Sequence, residues 1–428
     1  MSDKTSEKSP FCILPWIHSF VNSNGNYQVC CTSEEHHIAI TDNDGKPFNI
    51  KDQPTQDQIM NSDFMKKIRK DMLQGKWNKV CTRCLVTELA DGVSRREIEN
   101  KSYDDIIVST VLTTRPDGTI PVKYKSIDYR LGNLCNLQCR MCGPHSSNAW
   151  LKDWNKVKPD SEKMNDTRRI ELENYDWIEK DYLFLEFQKK LEHCEHLHFA
   201  GGEPLITPQM SRMLKYCIDN DYAKNITLTY NTNLTKLPEP VLELWKYFKS
   251  IRLLCSIDGF GKVNEYVRHP AKWDVIDRNL TYLDDNASKY HIDEILLSCT
   301  VQIYNILELP DLYNYLKKFK VIVPALNLIN LHIPNYLQSS VLPEEAKLIA
   351  NKRLGEFYTK LKEELPENRK YMAESIHEVL NFMNQKTDPA LLKSFMDINT
   401  KMDSFKAQSL QESIPELYDL VVKNLPNS

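Results

Sequence analysis

The order of elements along the chain predicts an α/β protein. It is a partial (β/α)6 TIM-type barrel with a small, cysteine-bearing N-terminal β-hairpin/helix domain and a C-terminal helical extension. Three observations carry this. Between residues 124 and 336, short β-rich runs alternate with helical stretches. Before them, residues 11–100 hold turn-separated, strand-like pieces and two groups of cysteines. After residue 337 the pattern is helical and charged, with no convincing strand. Strict β/α alternation implies a parallel sheet with right-handed crossovers, and six units make about three quarters of the eight-unit barrel. The expected layout is a polar tail over 1–10, the cysteine-bearing domain over 11–100, a linker over 101–123, the barrel over 124–336 and the extension over 337–428.

In the N-terminal domain, "NSNGN" and "TDNDGKP" are turn signals. Residues 57–77 predict a helix, because Ile59, Met60, Phe64, Ile68, Met72 and Leu73 recur at helical spacing and Gly75 supplies a stop. The six β-rich runs are "KSIDYRL" (125–131), "HLHFAG" (196–201), "ITLTYNT" (226–232), "IRLLCSID" (251–258), "EILLSCTV" (294–301) and "ALNLINLH" (325–332). Helices are expected at 207–219, 239–249, 275–285 and 306–319, and residues 165–193 read as an insertion in the long first crossover. In the extension, "PEEAKLIANKRLGEFYTKLKEEL" and "IPELYDLVVKNL" are amphipathic helices suited to the outside of the barrel, or to a separate helical unit.

Composition narrows the function classes. The 428 residues carry a net charge of −4, which argues against nucleic acid as a partner. The most apolar stretch (321–334) is broken by Pro324, Asn327, Asn330 and His332, too short and polar to span a bilayer, and the polar N-terminus carries no secretory signal. The cytoplasm is the default location. Of twelve cysteines, eight fall into three groups, and Cys194, Cys217, Cys255 and Cys299 stand apart as buried small hydrophobes. In a reducing compartment, grouped cysteines point to metal or redox chemistry rather than disulfides.

The densest group is Cys135, Cys139 and Cys142 in "NLCNLQCRMCGPHSS" (133–147), directly after the first barrel run. Disulfides would leave one thiol over, and zinc would ask for a fourth ligand. Thiolates hold iron–sulfur cubanes, usually four to a cluster, so three would leave one iron open. This CxxxCxxC spacing resembles the radical S-adenosylmethionine (radical SAM) superfamily. The resemblance implies that the open iron of a [4Fe–4S] cluster chelates SAM, which is split by one electron to a 5′-deoxyadenosyl radical that abstracts hydrogen from the substrate. It also assigns cofactor contacts to Gly201, Gly202, Glu203 and Pro204 in "AGGEPL", Thr232 and Asn233 in "YNTNLT", Ser256 and Asp258 in "CSIDGF", and Arg268 in "VRHPAKWD". Each of these alone is a turn or a surface charge; they fall, however, at the mouths of successive strands. Met141 stands where the family often has an aromatic. His193, His196 and His198 could suggest a metal site, but alternating strand positions explain them better.

A second thiol set lies in residues 12–31, "CILPWIHSFVNSNGNYQVCC", completed by Cys81 and Cys84 in "NKVCTRCLVTE". Taken alone, Cys12, Cys30, Cys81 and Cys84 fit a structural zinc as well as an iron–sulfur cluster. They resemble the twitch domain, a shorter relative of SPASM, which implies an auxiliary [4Fe–4S] cluster; here it would precede the barrel. Gly25 would permit the hairpin turn that delivers Cys30, Cys31 could replace Cys30 as ligand, and His18 is a packing residue. The resemblance leaves the substrate open. Oxidative modification of a peptide or protein is the expectation, with a small-molecule dehydrogenase or biosynthetic enzyme as the alternative. A one-electron donor such as flavodoxin or ferredoxin is implied.

Overall fold

A computed structural model describes residues 9–36, 38–89, 92–173 and 175–425; residues 1–8 of the expected polar tail lie outside this range. The strands are β1 (His18–Val21), β2 (Tyr27–Gln28), β3 (Ser126–Arg130), β4 (His196–Ala200), β5 (Thr227–Thr232), β6 (Ser250–Ser256), β7 (Ile292–Val301) and β8 (Ile322–Asn330). They form one open sheet in the order β2-β1-β3-β4-β5-β6-β7-β8. Strands β3 to β8 fall on the six predicted runs and follow chain order. Pairing is parallel for β3/β4, β6/β7 and β7/β8. The N-terminal hairpin joins the same sheet: β1 runs parallel to β3, with His18 opposite Ser126, and β2 is antiparallel to β1.

The chain divides into two compact units, one of Met1–Asn133, Asn174–Thr229 and Tyr247–Ser250, the other of Leu134–Glu173, Tyr230–Lys246 and Ile251–Ser428. In the first, the helix predicted over 57–77 is two helices. Thr55 and Gln58 form a capping box on Gln56–Met60, and the Ser62 hydroxyl then caps a new helix, Asp63–Leu73. Gly75 ends it with φ of 72°. Arg69 on this helix is fully buried and donates to the carbonyls of Pro15 (3.0 Å), Met60 (2.7 Å) and Gly118 (2.8 Å), which ties three segments together. Residues 101–123 include the helix Asp104–Leu112.

The predicted insertion holds the helices Asp166–Glu173 and Asp181–Gln188. The latter carries Glu186 into the first unit's interior. Its carboxylate accepts from the hydroxyls of Tyr27 (2.6 Å) and Tyr129 (2.5 Å) and from Gln56 (3.1 Å), and pairs with the Lys190 ammonium. Burial would raise the Glu186 carboxyl, but Lys190 and the tyrosine hydroxyls outweigh it and hold it below the usual range. The network thus fastens the hairpin to β3.

In the second unit Leu253, Cys255, Ile295, Leu297 and Cys299 are fully buried, so Cys255 and Cys299 act as core hydrophobes. The extension forms the helices Glu344–Glu364, Tyr371–Met383, Ala390–Lys406 and Pro415–Lys423. It packs on the sheet rather than standing apart: Tyr371–Met383 lies against β8 and also packs on Glu344–Glu364. Among the described residues, no helix is long and apolar enough to cross a membrane.

Glu186→Gln should destabilise the protein by on the order of 3 kcal/mol at neutral pH, since Lys190 would be left buried without its counter-charge. Because the folded carboxyl lies below its ordinary value of 4.5, that contribution is full above this pH and fades as pH falls below it. Thermal unfolding of the parent and variant should therefore converge in acid; a constant gap would refute the assignment.

Candidate functional site

The loop bearing Cys135, Cys139 and Cys142 begins a few residues beyond β3 and has no helix or strand to hold it. Its neighbours within the second unit do so instead. Cys142 N–H closes a turn on Cys139 O (3.1 Å), Gln138 N–H donates to His269 O (2.6 Å), and Arg140 N–H donates to Val267 O (2.8 Å). Side chains fix three more backbone groups: Asn148 accepts from Cys135 N–H (3.1 Å), Ser147 donates to Leu137 O (2.5 Å), and the Trp150 indole donates to Cys139 O (3.1 Å). Cys139 is buried, while Cys135 and Cys142 are partly exposed. The thiols of Cys139 and Cys142 hydrogen-bond to each other, which pushes Cys139 up and Cys142 down, and Arg268 favours the thiolate of both.

Three of the other predicted positions gather beside these thiols. Asn233 Nδ2 lies 3.9 Å from Cys135 Sγ and donates to Asn136 Oδ1 (3.1 Å). Arg268 and Asp258, both buried, form an ion pair with Nε 2.7 Å from Oδ2. Asp258 is itself fixed, for its Oδ1 accepts from Thr300 N–H (2.8 Å) and its own N–H donates to Asn264 (3.0 Å). Arg268, expected to meet a cofactor carboxylate, therefore has a protein carboxylate as its partner here. Thr232 caps the turn after β5 by accepting from Leu234 N–H (3.2 Å), and Ser256 ends β6 opposite Ser298 of β7.

The "GGEP" turn belongs to the first unit. Gly201 (φ 79°) and Gly202 (φ 47°) both take left-handed backbone. A Cβ on Gly201 would stand 2.9 Å from the Arg130 backbone at the end of β3, so the close approach there is to protein as well as to any ligand. Glu203 is buried, and its carboxylate accepts from Leu205 N–H (3.1 Å) at the turn that Pro204 opens.

The second thiol set also comes together in the first unit. Cys12, Cys30, Cys81 and Cys84 line one cavity of about 20 Å³, with Arg95 and Arg96 on its wall. Burial raises the Cys12 thiol, and Cys30, Cys81 and Cys84 raise it further; burial, Cys30 and Cys84 bring Cys81 up to about 12. Iron binding there would be coupled to proton release. Gly25 (φ 85°) makes the hairpin turn as expected. The elements carrying the thiols are locked by Arg96, which forks onto Glu88 (2.9 and 2.5 Å) and reaches Phe11 O (3.0 Å). Cys31 is not among the residues lining the cavity; its thiol lies against the guanidinium of Arg95. Among the described residues, no group of three or more His, Cys, Asp or Glu side chains is spaced for a single metal ion. Four thiols around a cavity are the donor set a cubane takes. The strand histidines are engaged by neighbours: His198 by Asp128 (3.1 Å) and His196 by Thr229 (2.9 Å). His18 bonds Ser126 (2.9 Å), and burial together with Arg95 lowers it to about 3.

The family model for the radical SAM superfamily matches residues 129–308, which include the three-cysteine loop and the strand-end motifs. Residues 129–308 of the chain are a radical SAM domain. The model for SPASM, an iron–sulfur cluster-binding domain, matches residues 12–85, spanning all four cavity thiols. This radical SAM protein thus has domains for SAM and for [4Fe–4S] clusters, the auxiliary one first in the chain. Among solved structures it is similar to anSMEcpe with bound AdoMet and Cp18Cys peptide (15% identity, 55% of this chain and 60% of that one, TM-score 0.35). It is also similar to Streptococcus suis SuiB bound to S-adenosylmethionine (12% identity, 74% and 66%, TM-score 0.34). The chain therefore spans about six-tenths to two-thirds of the length of these relatives. No curated protein matches it.

Cys12→Ser should lower reconstituted iron from about eight atoms per chain to about four, whereas Cys31→Ser should leave it unchanged; iron and sulfide analysis decides. Gly201→Ala should cost at least about 1 kcal/mol in thermal unfolding, because its backbone angle disfavours a side chain and β3 blocks the Cβ.

Proposed function

We propose that this radical SAM enzyme carries out a hydrogen abstraction that leads to net oxidation of a peptide or protein substrate. The observation that carries the proposal is the thiol count at the two sites: three on the laced loop, four around the cavity. When bound, the three-thiolate cluster would supply the electron that splits SAM. Cys135, Cys139 and Cys142 would hold that cluster, and Gly201, Gly202, Glu203, Pro204, Thr232, Asn233, Ser256 and Asp258 would shape the SAM site. Arg268, oriented by Asp258 (2.7 Å), offers a guanidinium suited to a carboxylate.

Cys12, Cys30, Cys81 and Cys84 would hold the auxiliary cluster. Once hydrogen has been abstracted, the substrate must still lose an electron and a proton to reach a closed-shell oxidised product. An acceptor held by this second thiol set meets that need, and a redox-neutral reaction would not require it. The domains are read as 11–100 for the auxiliary cluster, 124–336 for the barrel and 337–428 for the helical extension. The partners proposed are the substrate and a one-electron donor such as flavodoxin or ferredoxin. The reducing cytoplasm, where free thiols persist, is the proposed compartment.

Anaerobically reconstituted protein given dithionite and SAM should release 5′-deoxyadenosine, and Cys139→Ala should reduce this to background. Absence of 5′-deoxyadenosine from fully iron-loaded protein would overturn the enzymatic proposal. A peptide substrate should lose two hydrogens by mass spectrometry when co-expressed; turnover of a small alcohol or sugar with no peptide product would assign the enzyme to the small-molecule class instead.

A further inference from the structure

Arg140 stands between Cys139 and Cys142, and its side chain is fully buried. A buried guanidinium is costly unless its donors are met, and each of its nitrogens is met. Nε donates to Tyr266 O (2.9 Å), Nη1 to Asn399 Oδ1 (2.9 Å), and Nη2 to Asp403 Oδ1 (2.5 Å) and Gln408 Oε1 (3.1 Å). The guanidinium also stacks 3.6 Å from the centroid of the Tyr266 ring. The hydroxyls of Tyr266 and Tyr304 converge on the same acceptors, with Tyr266 2.8 Å from Asp403 Oδ1 and Tyr304 2.7 Å from Asn399 Oδ1. Asn399 and Asp403 lie one turn apart on the helix Ala390–Lys406, so a single helix face supplies both.

The same helix grips the loop on the other side of Cys139. Lys406 Nζ donates to Gln138 O (3.2 Å) and Gln138 Oε1 (3.0 Å), and sits 4.3 Å from the Trp150 ring centroid. The backbone N–H groups of Gln138 and Arg140 donate in turn to the carbonyls of His269 and Val267, the two neighbours of Arg268. The helix is thus joined to Gln138 and Arg140, which flank Cys139, and through them to the segment that presents Arg268.

We infer that the helix Ala390–Lys406 is a clamp on the cysteine loop, with Arg140 and Asp403 as positioning residues that set Cys139 and Cys142 against Arg268. The inference rests on the proposal that this loop holds the SAM-binding cluster. It makes the C-terminal extension part of the cofactor site. Arg140 and Asp403 bond to each other and to protein groups around the loop, and act through it.

The test uses full-length, anaerobically reconstituted Asp403→Asn, Arg140→Lys and Lys406→Met. Its readouts are the change in the reduced cluster's EPR signal on titration with SAM and the rate of iron loss to a chelator. The auxiliary cluster in the same chain is the internal reference. Loosening groups that orient metal ligands costs about tenfold or more in metal-site affinity. Asp403→Asn and Lys406→Met should therefore shift the SAM titration and the chelation rate of the SAM-responsive cluster by about that factor, and leave the auxiliary cluster's rate unchanged. Arg140→Lys, which keeps the charge and loses the fork, should fall between the parent and Asp403→Asn. Unchanged titration and chelation in the variants would overturn the clamp. Equal loss of iron from both clusters with a lowered melting temperature would also overturn it, because a merely structural helix behaves that way. If instead Cys139→Ala kept a SAM-responsive signal, the assignment of the loop itself would fail, whatever the Asp403 variant did.

Discussion

A loop that must present three thiols at fixed spacing has no hydrogen-bond ladder of its own to set that spacing. Everything else at this site follows from that constraint. The backbone donors of Gln138, Arg140 and Cys135 are met by His269, Val267 and Asn148, and Trp150 takes up the Cys139 carbonyl. An irregular segment is held at several of its backbone groups by named partners, some adjacent, such as Asn148 and Trp150, and others, such as Val267 and His269, far along the chain.

Buried charge is the second means by which the protein places its cysteines. Arg140 pairs with Asp403 beside one thiol set, Arg96 pairs with Glu88 beside the other, and Arg268 pairs with Asp258 where cofactor charge is expected. A buried cation confined to one carboxylate fixes direction more strictly than apolar packing, since a small displacement leaves both charges desolvated and unpaired. The same logic at Glu186 and Lys190 fastens the N-terminal hairpin to the sheet. The two cysteine-bearing regions therefore depend on specific ion pairs, whereas the strands between them depend on Leu, Ile and Val burial.

Much of the fold was legible. The six barrel strands lie on β-rich runs because parallel strands covered on both faces need short apolar sequences, and helices between them need a different period. The pairing of β1 with β3 was not legible: His18–Val21 is four residues long, and nothing in those four specifies a partner more than a hundred positions away. The helix break at Asn61 and Ser62 was visible only in hindsight, because capping chemistry and the apolar period competed over the same residues. At the site, clustered cysteines gave themselves away by spacing. Arg140 did not, since an arginine beside a cysteine reads as a surface charge until Asn399 and Asp403 are brought to it.

The sequence alone determined the chemistry-bearing types: three thiols in one loop, four in another set, glycines where backbone turns left-handed, and a strand–helix alternation that orders them. These are local properties, written in residues a few positions apart. Only the tertiary structure decided that Cys30 rather than Cys31 faces the cavity, that Asp258 occupies Arg268, and that a helix more than 250 residues downstream grips the cysteine loop. Such choices depend on which buried donors find acceptors once the chain has closed, and the energy of that match belongs to no single segment.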